Sequence, residues 1–596
     1  MLSALSSWRF YFAAAGLLAL PAVMLVHLAK LQVVAADEES ERDFRFLQKQ
    51  GDARTLRQEP LVAYRGKISD RNGELLAVST PVKTIYLNPQ AFVAENIEAL
   101  ATALGMSKEK LAARLDLYRN KQFMYVARQL PPYKALRVEE LKLPGVFVLD
   151  EFRRFYPAGE TTAHLVGFTD VDDRGREGME LAYNEWLEGE AGARQVLKDR
   201  QGKVIKSAGL IKAARPGNDL ELSIDLRLQY IAYRELKSAI KKQGARGGSV
   251  VVLDAHSSEV LAMVNQPSFN PNNRKGATLR AMRNSAVVDV FEPGSTAKPF
   301  TVIAGLQKGV IRNNSTIETS PGHITIANKT FLDPVNYGTM DVSRILQKSS
   351  QVGITKIAMQ MPADYLREVF STVGFGESVY TGFPGEASGR LPFRTKWHPH
   401  EHANIAFGYG FSTTALQLAQ AYAVLANRGL LQAPSLLKVD EQNSQDRDAP
   451  QLVLDHAAVS AVASMLESVT QKGGTGKRAA IGAFDVAGKT GTAHKVSRKG
   501  GYAEDKYRAL FAGFAPAKSP RLVSVVVIDE PPADNAYHGG QAAAPVFSAV
   551  ISEALQVLHV APDHKSKMAD TQDESDSNLV KAAAAHAVSP EEVEAI

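Results

Sequence analysis

The sequence predicts an α+β protein with a single N-terminal transmembrane helix, a mixed α/β pedestal, and a larger domain of antiparallel sheet and helices. Three observations carry this reading. Residues 10–30 hold an uncharged apolar run between Arg9 and Lys30, long enough to cross a bilayer. Short strand and helix patterns alternate from 61 to 217. Beyond them, strand patterns at 249–254 and 260–264 form a hairpin beside a helix, and strand patterns at 509–514 and 522–528 supply the rest of one sheet.

Residues 1–9 read as a cytoplasmic N-terminus, because Arg9 precedes the anchor while Asp37, Glu38 and Glu39 follow it, which places the body on the exported side. A cleaved signal peptide is the competing reading, but its apolar core should be only about 7–15 residues. Residues 31–60 are charged, lack an apolar stripe and read as a juxtamembrane segment. In the pedestal, Asn72-Gly73 between apolar runs marks a hairpin. Residues 95–117 carry helical periodicity, with Ser107 capping the second of two helices. His164 with Asp170, Asp172 and Asp173 matches no standard ligand spacing and reads as a structural histidine beside a turn. Pro216-Gly217-Asn218-Asp219 marks a boundary, after which 220–224 alternates as a strand and Asp225 caps a helix to about residue 240. A helix at 544–560 closes the domain, which spans 218–562. Residues 563–596, rich in Asp, Ser, Lys and Ala, read as a disordered tail.

Composition excludes several classes. A formal charge of +5, unclustered over 596 residues, leaves no nucleic-acid footprint. The absence of cysteine rules out disulfides and thiolate metal sites, and it suits an oxidising compartment. No metal and no cofactor are expected.

The chemistry centres on Phe291-Glu292-Pro293-Gly294-Ser295-Thr296-Ala297-Lys298-Pro299-Phe300. Residues three apart on a helix share a face, so the Lys298 amine can reach the Ser295 oxygen and take its proton if its pKa is lowered. Pro299 disfavours helical geometry at Lys298, which places Ser295 at a ragged helix start with free N–H groups. The same four-residue spacing at Ser107/Lys110, Ser238/Lys241 and Ser435/Lys438 reads as ordinary surface helix. Only Ser295 follows a Pro-Gly turn and has companions downstream. Ser349 in Ser349-Ser350-Gln351 can relay a proton. In Ala487-Gly488-Lys489-Thr490-Gly491-Thr492 two glycines bracket a lysine and a hydroxyl on an expected edge strand, open to an extended substrate. Lys489 is expected to lower the Lys298 pKa by its charge and to anchor a carboxylate that Thr490 hydrogen-bonds.

Ser-x-x-Lys, Ser-x-polar and Lys-Thr-Gly in this order resemble the penicillin-binding and serine β-lactamase superfamily. With the anchor, RGKISDRNG, RRFYPAGE, EGMELAYNEWLEGEAG and FEPGSTAKPF, the chain is most similar to class B penicillin-binding proteins of the division-specific FtsI type, over residues 8–560. The resemblance implies a dimerisation-like pedestal at 61–217 and a penicillin-binding transpeptidase domain behind it. It implies a periplasmic D,D-transpeptidase that cross-links peptidoglycan stem pentapeptides at the septum, is acylated by β-lactams, and works beside a SEDS-type glycosyltransferase and other divisome membrane proteins. It assigns Ser295, Lys298, Ser349 and Lys489 to catalysis. The backbone N–H groups of Ser295 and Thr492 would form the oxyanion hole, and Gln351, Thr490, Gly491, Thr492, Tyr502 and Tyr537 would bind substrate or β-lactam. The chain departs from the family at Gln351, where asparagine is usual; the extra methylene moves the amide by about 1.5 Å. His538 is a second departure in the aromatic wall. An elongation-type transpeptidase, a β-lactamase, and a catalytically impaired divisome scaffold or β-lactam sensor are the alternatives. The front-module motifs disfavour the first, and no glutamate motif for deacylation supports the second. Gln351 is the best support for the third.

Overall fold

The structure, a computed structural model, describes residues 2–32, 56–198, 204–440, 447–497, 500–532 and 537–564. Most of the juxtamembrane segment and the tail beyond 564 lie outside these residues. The apolar run forms helix α1 (Leu2–Gln32), which carries Pro21. Its stretch from Trp8 to Ala29 has mean hydropathy 2.1 and is the one helix among the described residues long and apolar enough to cross a membrane.

The rest divides into two compact units whose segments interleave along the chain. Unit 1 takes residues up to Gly66, then Ser79–Arg153 and Glu188–Asn218; unit 2 takes Lys67–Val78, Arg154–Leu187 and everything from Asp219. Residues 61–217 therefore contribute to both.

In unit 1, strand β1 (Leu56–Leu61) lies in a stretch whose sequence shows no apolar stripe. Strand β2 (Leu75–Leu87), which begins in unit 2 and belongs to unit 1 from Ser79 on, follows, then helices α2 (Ile97–Leu104) and α3 (Lys108–Leu117). Ser107 caps α3 as expected, accepting from the Lys110 amide. Strands β3 (Met124–Leu130) and β4 (Val146–Phe155) pair with β2. Ile85, Leu87, Leu100, Leu111, Met124 and Val126 interlock as the core of this sheet and its helices. Strands β5 (Gly192–Lys198) and β6 (Val204–Lys212) join β1 in a separate antiparallel sheet.

In unit 2 the Asn-Gly hairpin forms as expected, with Ile68 opposite Ala77 and Ser69 opposite Leu75. Its turn is tied by Asp70, whose carboxylate accepts from the amides of Asn72, Glu74 and Leu226. The buried Arg154 and Glu180 pair at 2.6 Å, joining two of the stretches that single this sequence out. His164 is structural: it is buried, bonds the Ala281 carbonyl at 2.8 Å and packs edge-on against Phe269.

The strand expected at 220–224 shortens to Leu220–Glu221. Leu222 and Ser223 send their amides to Ser69 and Leu436 on different neighbours, so no ladder continues. Helix α4 (Leu226–Gln243) is capped by Asp225. The hairpin β7 (Gly247–Asp254) and β8 (Val260–Gln266) follows it. Then come α5 (Lys298–Gln307), α6 (Val342–Lys348), α7 (Gln351–Ala358), α8 (Ala415–Ala426) and α9 (His456–Thr470). Strands β9 (Ala487–Val496), β10 (Tyr502–Ala515) and β11 (Leu522–Asp529) and helix α10 (Ala544–Val557) complete the unit.

The sheet order is β8-β7-β11-β10-β9, antiparallel throughout, so β9 is an edge. Alternation in β7 decides the layers. Val250 and Val252 pack with α4 and α10, whereas Val251 and Leu253 face the core built on α5, α7, α8 and α9. Each fully buried Leu, Ile or Phe there contributes roughly 1.5–3 kcal/mol. Near the C-terminus the His564 ring lies 2.9 Å from Asp485, so the described chain stays attached to that point.

Candidate active site

A five-residue approach sets the serine. The Phe291 amide and carbonyl pair with Thr413, and a 3₁₀ turn over Gly294–Ala297 then runs into α5. Lys298 is helical, with φ −55° and ψ −35°, and this corrects the expectation from Pro299. Pro299 falls in the first turn of α5, where its missing N–H is an orphan donor anyway. The turn is held from behind by the Tyr422 hydroxyl on the Thr296 carbonyl, at 2.8 Å, and by the Gly294 amide on the Gly408 carbonyl, at 3.0 Å. A Cβ at Gly408 would sit 2.0 Å from the Gly294 oxygen, so only glycine admits that approach.

Ser349 joins α6 to α7 in the left-handed conformation at φ +58°, a position that is uncommon outside glycine. Ser350 then caps α7 through the Gly353 amide. Asp333 locks this joint by accepting from the Ser350 hydroxyl at 2.5 Å and from the amides of Gln351 and Val352 at 2.6 and 3.3 Å.

The Lys298 amine is fully buried and donates to the Ser349 carbonyl and, at 3.2 Å, to the Ser349 hydroxyl. Among the described residues no hydrogen bond joins it to Ser295, against expectation: the Ser349 pair of oxygens holds it. Burial pushes its pKa down to about 7, opposed by the negative charge of Asp333. Burial is also the first cause that holds Lys489 well below the usual lysine range, with repulsion from Lys298 second. Desolvation is therefore the leading cause for both amines, because neither reaches water, and the repulsion between Lys489 and Lys298 comes second to it.

Edge strand β9 closes the site. A Cβ on Gly491 would meet the Thr296 methyl at 2.9 Å and the Pro293 carbonyl at 3.0 Å, which explains the glycine of Lys-Thr-Gly: the strand lies against the serine turn. Between them opens a cleft of about 930 Å³, lined by Ser295, Ser349, Gln351, Thr490, Gly491, Thr492, Tyr537 and His538. Lys489 lies buried outside this lining, its amine 3.3 Å from the Thr490 carbonyl. The Thr490 hydroxyl shares a hydrogen with Thr475 at 2.8 Å. Tyr537 stacks on Tyr507, with ring centres 4.3 Å apart. Tyr502 is not in the lining; its hydroxyl reaches Glu292 at 3.1 Å and its ring meets Tyr409 edge-on.

Sequence reasoning misses Asp333, Tyr409, Thr475 and Tyr507, all of which line the cleft. Only Thr475, in the turn-rich Gly473-Gly474-Thr475-Gly476, carries any local signal. Of the serines with the same spacing to lysine, Ser435 lies in extended chain, not helix, and spends its hydroxyl on the Leu437 carbonyl.

A two-faced antiparallel sheet with a serine turn, a buried lysine and a Lys-Thr-Gly edge strand around one cleft is the architecture of the active-site-serine, penicillin-recognising proteins. The Penicillin binding protein transpeptidase domain family matches residues 248–552, and the Penicillin-binding Protein dimerisation domain matches 60–222. The chain belongs to the penicillin-binding protein transpeptidases. It is 42% identical to the peptidoglycan D,D-transpeptidase FtsI of Escherichia coli K12 over 94% of this chain and 93% of that protein. It is 38% identical to the probable peptidoglycan D,D-transpeptidase PenA of Neisseria meningitidis over 87% of this chain and 89% of the relative. Among solved structures, penicillin-binding protein 3 of Mycobacterium tuberculosis, complexed with aztreonam, superposes with a TM-score of 0.65 at 26% identity, covering 85% of this chain and 98% of that one.

Proposed function

We propose that this chain is a peptidoglycan D,D-transpeptidase of the septal, class B type, anchored by α1 with its body in the periplasm, and a target of β-lactams. The observation that carries the reading is the buried Lys298 amine, lowered to about 7 and held against Ser349, which lines the cleft together with Ser295.

The Ser295 Oγ attacks the carbonyl carbon of the penultimate D-alanine of a donor stem pentapeptide while its proton passes to the Lys298 amine. Negative charge builds on the carbonyl oxygen, toward the backbone N–H groups of Ser295 and Thr492. The C–N bond breaks, and the departing D-alanine takes a proton through the Ser349 hydroxyl. An amine of a neighbouring stem peptide attacks the ester, gives a proton back through Lys298 and releases Ser295. Gln351 and Thr490 orient the substrate, with Tyr537 as one wall. Lys489, buried outside the cleft lining, steadies the strand through its amine on the Thr490 carbonyl. The pedestal at 61–217 serves as the non-catalytic module, and a SEDS-type glycosyltransferase and other divisome membrane proteins are the partners expected from the family likeness.

Intact-mass analysis of the full chain in detergent with a penicillin tests the reading. A long-lived adduct of one penicillin is expected, absent in Ser295→Ala. No adduct at high penicillin would favour a silent scaffold, and an adduct that is rapidly lost would favour a β-lactamase.

A further inference from the structure

The lining of the Ser295 cleft includes three cations, Lys348, Lys477 and Arg478, to which the proposed mechanism gives no task. Against them the lining offers one carboxylate, Asp333, whose oxygens are taken by the Ser350 hydroxyl and the amides of Gln351 and Val352. Among the described residues no ion pair ties any of the three cations to a carboxylate. Lys489 does not join the set: it is buried outside the lining, where desolvation disfavours its charged form. A carboxylate that enters the cleft therefore meets its positive charge on Lys348, Lys477 and Arg478.

Exposed cations on a turn are usually just solvated, so the placement of this turn decides. Thr475 meets the Lys-Thr-Gly strand directly, its hydroxyl oxygen 2.8 Å from that of Thr490. One hydrogen serves that bond, so the other O–H is left to donate. Lys477 and Arg478 follow at once, in a 3₁₀ turn over Lys477–Ala479. The loop is clamped from two sides. The Lys348 amine, next to Ser349 in the chain, donates to the Gly473 carbonyl at 2.8 Å, and the Thr475 amide donates to the Gln347 carbonyl at 3.4 Å. Opposite, Gly540 packs so closely that a Cβ on it would fall 2.1 Å from the Thr475 carbonyl oxygen. A fixed hydroxyl pair beside two cations without carboxylate partners is a donor set suited to a carboxylate, which takes charge-assisted hydrogen bonds from both.

We propose that Lys477 and Arg478, with the Thr475–Thr490 hydroxyl pair, select acyl donors that end in a carboxylate by drawing that group to the Lys-Thr-Gly strand. The proposal rests on the transpeptidase reading and adds to it the residues that choose the leaving group. In a D-alanyl-D-alanine donor the selected group is the carboxylate of the terminal residue, the half that departs when Ser295 is acylated. Lys348 acts differently, as the clamp that holds the loop to the segment bearing Ser349.

Two thioesters with the same N-acyl-D-alanyl half test this, one leaving as a carboxymethyl thiol and the other as the matching carboxamide. Each puts the same ester on Ser295 and releases a thiol, so only the charge of the departing half differs. With the full chain in detergent, adduct formation followed by intact mass should favour the carboxylate donor by about tenfold, or about 1.4 kcal/mol. The preference should shrink as salt rises from about 0.1 M to about 1 M, because the attraction is exposed to screening. Lys477 and Arg478 are both exposed, so Lys477→Gln/Arg478→Gln is expected to fold. In it the preference should drop below about threefold, with the loss on the carboxylate donor, whereas Arg478→Lys keeps the charge and should retain the preference. Equal rates for the two donors in the wild-type chain, an unchanged preference in the double variant, or an equal loss for both donors overturns the proposal. Adduct with neither donor overturns it too, and whether penicillin still forms its adduct then tells whether the transpeptidase reading falls as well.

Discussion

In the proposed mechanism Lys298 takes the Ser295 proton only while it is neutral, so the protonation of one buried amine should set the pH response of the site. With a pKa of about 7 the acylation rate should rise about tenfold per pH unit below that value and level off above it. Asp333 raises the Lys298 pKa, so Asp333→Asn should move the midpoint to lower pH. Penicillin acylation rates from pH 5 to pH 9 check both; a midpoint that moves upward in the variant would refute the assignment. The spacing of Ser295, Ser349 and Gly491 is legible in the chain because each sits in a motif whose residue types answer a chemical need. Asp333 and Tyr409 are not, since an aspartate before a proline and a tyrosine between turn residues look like any loop. They matter only because the fold carries them to Lys298 and the cleft. Tyr502 shows the reverse: an aromatic matched by family position hydrogen-bonds Glu292 and packs on Tyr409 without itself lining the cleft.

Strand β9 and the serine turn are separate elements that work only at contact distance. Gly491→Ala places a methyl 2.9 Å from Thr296 and 3.0 Å from the Pro293 carbonyl, so the strand must retreat. Acylation should fall by about a hundredfold, the typical effect of displacement near 1 Å, while far-UV circular dichroism stays native. A loss of under threefold would show that strand and turn move together. The buried Arg154–Glu180 pair binds two short segments of unit 2. Glu180→Ala leaves the guanidinium without its carboxylate and should lower stability by about 3–5 kcal/mol, read by denaturant unfolding. Central strands and capped helices are legible because apolar run, alternation and cap coincide. Strands β1, β5 and β6 are not: β6 is exposed along its whole length, so no buried face imprints a pattern on its sequence.

At the scale of the whole molecule, the order of the family's parts is legible, but the interleaving of the two compact units is not. The turn residues Pro216-Gly217-Asn218-Asp219 mark one boundary in the sequence, whereas the assignment of 67–78 and 154–187 to unit 2 depends on contacts distant in sequence, such as Asp70 with Leu226. The paired burial of Lys298 and Lys489 reaches beyond catalysis. Both amines have depressed folded-state pKa values, so the unfolded chain binds more protons from about pH 7 up to the ordinary lysine pKa of 10.5, and across that window stability rises with pH. Unfolding near pH 8.5 should therefore draw about one proton from the buffer through Lys298, with Lys489 adding in the same direction. The calorimetric enthalpy will then differ between phosphate and Tris in proportion to their ionisation heats, and Lys489→Met should reduce that difference. The reactive centre is thus also a proton debt of the native state, and the heat of the surrounding buffer makes it countable without any substrate.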